Sequence, residues 1–81
     1  MAQPQTKPMS PQDESLWFKV RVEMKINPLT ESFAKELKYH VSRGVVTVEG
    51  QAPSPEAVRA IDRVVMNVVG VTGVVNKVTA S

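Results

Sequence analysis

Trp17 stands among Lys19, Arg21 and Lys25, and it is the only tryptophan in a chain of 81 residues. An indole suits the headgroup layer of a membrane, and cations beside it attract anionic lipid, so this cluster can serve as a lipid-contact surface. The competing use is packing: Trp17 fills the seam between a helix and a sheet while the charges solvate the outer face. Packing is the commoner use. Exposure of both Trp17 and Phe18 would reverse that preference.

The remaining reactive side chains carry less. The sequence has no cysteine, which excludes disulfides and thiolate metal sites. His40 is the one histidine, on the outward face of a strand beside Lys38, and a lone imidazole makes a poor metal site. Asp13, Glu14, Glu31, Glu36, Glu49, Glu56 and Asp62 show no pairing suited to acid/base work, and no Ser-His-Asp set can be assembled. The chain reads as a non-enzyme with no cofactor. Gly70-Val71-Thr72-Gly73 spells the G-x-x-G that clamps a nucleic-acid backbone elsewhere, but it holds no basic residue and reads as a turn. A net charge of +2 is too mild for a nucleic-acid partner.

These residues must be positioned by a single small domain with a thin core. No apolar run approaches the roughly 20 residues needed to span a bilayer. Met1 to Gln12 holds one lysine and no apolar stretch, so it is not a secretory signal. The expected location is periplasmic or membrane-associated if the chain is cut from a longer exported protein, and cytoplasmic if it is complete.

Residues 1–10, with Pro4 and Pro8, read as a disordered leader ahead of a domain over 11–80. Ser10-Pro11-Gln12-Asp13 is a helix start, with Ser10 as cap, Pro11 at the first turn and acids near the positive helix end. The next segment has two readings. Phe18, Val20, Val22, Met24 and Ile26 alternate with charged residues, the period of a half-buried strand. Leu16, Trp17, Val20 and Met24 also line one helical face, which would leave Phe18, Val22 and Ile26 on the far side, exposed or needing a partner. The pattern alone divides evenly, and the cap favours helix.

Asn27-Pro28 ends that element. Leu29 to Glu36 reads as a loop with room for one helical turn. Leu37, Tyr39 and Val41 face inward on a strand, Arg43-Gly44 makes a tight turn, and Val46 and Val48 face inward on the return. Gly50 to Pro53 reads as an exit loop. Ser54 to Val69 is the second helix, with Ala57, Val58, Ile61, Val64, Val65 and Val68 on one stripe, and Gly70 breaks it before a last strand reaching Val78. The expected fold is α+β, in the order α-β-β-α-β: a three-stranded mixed sheet, its last strand parallel to its second, with two helices packed on one face.

Three stretches resemble the BON domain family of bacterial osmotic-stress and nodulation proteins. Asp13, Leu16, Val20 and Met24 match its first helix. Gly44-Val45-Val46-Thr47-Val48-Glu49-Gly50 is similar to its G-x-V-T-L-x-G hairpin, and Gly70, Val71, Val74, Asn76 and Val78 to its G-V-x-x-V-x-N-x-L ending. The resemblance covers Asp13 to Val78 and turns the ambiguous segment into a helix. The loop between Met24 and Leu37 is longer than is common, and one copy stands where the family usually has paired or fused ones. The resemblance implies a non-catalytic module of the bacterial envelope, in periplasmic and stress proteins, that docks on a phospholipid membrane surface. The alternative is an assembly module whose open sheet face or strand edge takes a partner protein or a second BON copy.

Overall fold

The computed structural model describes residues 9–81, so most of the expected leader lies outside the described residues. The order is α1 (Pro11–Ile26), a single 3-10 turn (Ala34–Glu36), β1 (Lys38–Ser42), β2 (Val45–Ala52), α2 (Pro55–Met66) and β3 (Gly73–Ala80). β2 is central, antiparallel to β1 and parallel to β3. This is the expected α-β-β-α-β domain with a three-stranded mixed sheet.

Both helices start as their sequences dictate. The Ser10 hydroxyl accepts the Asp13 N–H and the Ser54 hydroxyl accepts the Ala57 N–H, each at 3.1 Å, with proline in the first turn after each cap. Each cap satisfies a backbone donor that the helix leaves unpaired. Helix α1 lies over β1, α2 lies over β2 and β3, and the helices touch each other. The core between the layers is Leu16, Val20 and Met24 from α1, Val41, Val46, Val48 and Val78 from the sheet, and Ile61, Val64 and Val65 from α2. Phe33, Ala34 and Leu37 close one end. Thr30 is fully buried, and its hydroxyl donates to the Met24 carbonyl at 2.6 Å, satisfying an acceptor that the last turn of α1 leaves open.

Two boundaries differ from expectation. β2 runs through Gly50 and Gln51 to Ala52 instead of leaving the sheet at Gly50, because its parallel partner continues to Ala80 and pairs with it. Helix α2 stops at Met66, not Val69: Asn67 is the cap, and the chain then reverses through turns around Val68 before Gly70, at φ 105°, sends it into β3.

Candidate functional site

Helix α1 is apolar on two opposite sides. A step of four residues advances about 40° around a helix and a step of two about 200°. Leu16, Val20 and Met24 therefore form one stripe, which is buried, and Phe18, Val22 and Ile26 form a second on the other side. The second stripe has no cover: Phe18 is 60% exposed, Val22 41% and Ile26 65%. Leu29, just past the helix, is 58% exposed. A helix with apolar residues on both sides calls for a partner on each.

Trp17 sits at the flank of α1 toward β1, half-buried against the core. Its Nε1–H donates to the Tyr39 carbonyl at 3.0 Å, and the Arg21 guanidinium lies 4.6 Å from the centre of its ring. The indole is thus held in the seam between helix and sheet, with a stacked cation over it. Burial pushes the Tyr39 phenol up to about 12, against the opposing pull of the Arg21 charge. Lys19 and Lys25 are exposed. The sequence grouped Trp17, Lys19, Arg21 and Lys25 by proximity in the chain. In the fold, Trp17 and Arg21 form one packed unit, and the two lysines stand on either flank of the apolar stripe.

The start of α1 also fastens the hairpin. Arg43 and Gly44 both have positive φ, 53° and 83°, as a two-residue turn between right-twisted strands requires. The Asp13 carboxylate accepts both of their N–H groups, Arg43 on Oδ2 at 3.0 Å and Gly44 on Oδ1 at 3.1 Å. On the other side of the turn, the Gly44 carbonyl accepts the Thr72 N–H at 2.9 Å. A Cβ at Gly44 would stand 2.9 Å from the Thr72 hydroxyl, so a side chain there would force Thr72 to shift and would be strained at this positive φ. Asp13, Gly44, Gly70 and Thr72, distant in sequence, meet at one end of the molecule around a groove that Lys19 and Val69 also line. A family model of the BON domain matches residues 12–81. The chain belongs to the BON domain family. Comparison with curated proteins finds no match.

The Asp13 clamp gives this BON domain an acid-sensitive joint. The Arg43 N–H does most to hold the carboxyl below its ordinary value of 3.8; partial burial opposes this, and the Gly44 N–H and the Ser10 hydroxyl add to the lowering. A lowered pKa means that the ionised form belongs to the folded state. Its contribution is complete above about pH 4 and fades as pH falls through the folded value. Thermal unfolding followed by circular dichroism from pH 7 to pH 2 should show Asp13→Asn less stable at neutral pH, with a shallower loss in acid than the wild type. Parallel profiles would refute the clamp.

Asn76, a polar residue of the last BON motif, ties β3 to α2. Its Nδ2 donates to the Val58 carbonyl at 2.9 Å and to Asp62 Oδ1 at 3.1 Å, and its Oδ1 accepts the Val78 N–H at 3.0 Å. Val78 turns that N–H toward the free edge of β3, so the asparagine covers the edge as well. Trp17 does the same on the opposite side. Ser42 and Val45 close the two-residue hairpin, so Tyr39 and Val41 direct their backbone groups outward, and the indole covers the Tyr39 carbonyl. The open face of the sheet is mostly polar, with Lys38 and Lys77 on either side of Glu49 and His40 beside Thr47. Of the exposed large apolar side chains, Phe18, Val22 and Ile26 share α1 and Leu29 follows it, whereas Met66 on α2, Val69 after it and Val75 on the open sheet face stand singly. Among the described residues, no helix is long and apolar enough to cross a membrane. As a BON domain the chain belongs to a family of binding modules, not catalysts.

Proposed function

We propose that this BON domain docks on phospholipid membrane surfaces through the outer side of α1. The observation that carries the reading is the exposed stripe of Phe18, Val22 and Ile26, continued by Leu29 and flanked by Lys19 and Lys25. Apolar side chains that enter the headgroup boundary, with cations beside them to meet anionic lipid, describe an interfacial helix. A protein partner is the weaker fit, since a stable interface takes about 20–30 residues a side and this stripe offers a handful. Pairing along the strand edges is weaker still, because Asn76 and Trp17 each occupy an edge group. A bacterial-envelope, periplasmic setting and a part in stress response belong to the same proposal and rest on the family alone.

Phe18→Ser is the direct test, since that side chain already faces water in the free domain. Its unfolding free energy should change by no more than about 0.5 kcal/mol. In co-sedimentation with vesicles containing phosphatidylglycerol, its binding should weaken by about 10- to 100-fold, as expected for losing a Phe side chain's burial. Equal sedimentation of variant and wild type would rule out α1 as the contact. Trp17→Ala is a poorer probe, because it opens the seam over β1.

A further inference from the structure

We propose that the docking plane is the whole helical layer, with Arg59 and Arg63 of α2 holding phosphate groups of an anionic bilayer while α1 supplies the apolar contact. This rests on the docking reading and adds to it the orientation of the bound domain. On α2 the buried stripe is Ile61, Val64 and Val65. At about 100° per residue, the midpoint of Arg59 and Arg63 lies about 180° from the centre of that stripe, so the pair points straight away from the sheet. Both are exposed, and Met66, 50% exposed, follows one turn on. Phe18 and Val22 point away from the same sheet on α1.

Since the helices touch, the two outward ridges run side by side, about 8–10 Å apart. Lys19 shares a groove with Val69 and Gly70 in the turn after α2, which puts it on the flank of α1 toward that helix. Arg21 and Lys25 stand on the other flank. The apolar ridge is therefore bracketed by Arg21 and Lys25 on one side and by Lys19, Arg59 and Arg63 on the other. The acids of this layer are Asp13, Glu14, Glu23, Glu56 and Asp62; Asp13 accepts the Arg43 and Gly44 N–H groups of the hairpin, and Asp62 accepts from the Asn76 amide. Glu14 and Glu56 lie in first turns, beside the positive helix ends that offset them, and Glu23 accepts from the Asn27 amide. The open sheet face alternates in sign across Lys38, Glu49 and Lys77, with no apolar ridge between its cations. Guanidinium forks match phosphate oxygens, and a bilayer meeting both ridges lies parallel to the sheet.

The test compares two double variants with equal change in charge: Arg59→Gln/Arg63→Gln on the helical layer, and Lys38→Gln/Lys77→Gln on the open face. All four side chains are exposed, so thermal midpoints should hold. Flotation is measured with vesicles of phosphatidylcholine alone and of phosphatidylcholine with phosphatidylglycerol. On the anionic vesicles the arginine variant should bind about 20- to 30-fold more weakly and with less salt dependence. The lysine variant should stay within about threefold of wild type, since its charges lie a domain's thickness from the lipid. Equal weakening of both variants would mean that only net charge matters, and would overturn the inference. Loss of binding in Phe18→Ser with full binding in the arginine variant would overturn it while leaving α1 docking intact. Wild type that floats with neither vesicle would bring down the docking reading itself.

Discussion

Asn76→Asp should destabilise the domain by about 2–4 kcal/mol, out of a total that its size sets near 4–11 kcal/mol. The substitution changes no shape. It replaces an amide nitrogen that donates to the Val58 carbonyl and to Asp62 with an oxygen that can donate to neither. Two favourable contacts become repulsive ones, the closer at 2.9 Å. The new carboxylate stands at the joint between α2 and β3, so the defect loosens the helix from the strand that follows it. Urea unfolding at pH 7 measures the loss. Because the repulsion needs the new carboxyl ionised, a large part of the stability should return below about pH 4, where Asp13 works in the opposite sense in both proteins. A variant as stable as wild type at pH 7 would mean that Asn76 does not hold β3 to α2.

That role was only half legible in the sequence. The alternation of β3 put Asn76 on the inward face between Val74 and Val78 and so required hydrogen-bond partners for its amide. Naming them needed the placement of α2 over β3, since Val58 and Asp62 lie well upstream. Trp17 is a similar case. Its packing in the seam could be weighed from composition, but its acceptor, the Tyr39 carbonyl, is 22 residues away and belongs to a strand edge. Local features read more directly. The single-sided stripe of α2, the two Ser-Pro caps and the Arg43-Gly44 turn each follow from chemistry within a few residues. The missed end of β2 was a partner effect, because Gly50 at φ 138° and the nearby Pro53 look like loop until β3 continues alongside.

The ambiguous segment was the instructive one, and one pair of substitutions separates its two readings. In α1 every even position from Leu16 to Ile26 is apolar. A strand would place all of them on one face. A helix sends alternate members about 200° apart, so the same alternation becomes two opposed stripes. Met24 and Ile26 are neighbours in that pattern and belong to opposite stripes. Met24 is fully buried, and its carbonyl holds the Thr30 hydroxyl; Ile26 is 65% exposed. Met24→Ala should therefore destabilise by about 2–5 kcal/mol, since the packed neighbours collapse only partly into the space left. For a domain of this size, that lowers the thermal midpoint by roughly 10–30 °C. Ile26→Ala should leave the unfolding free energy within about 0.5 kcal/mol of wild type. Its effect belongs instead to vesicle binding, which should weaken while the fold is untouched. Similar stability losses in the two variants would mean that one face buries both residues. The helix would then have no free apolar side, and the surface proposed to meet the membrane would not exist.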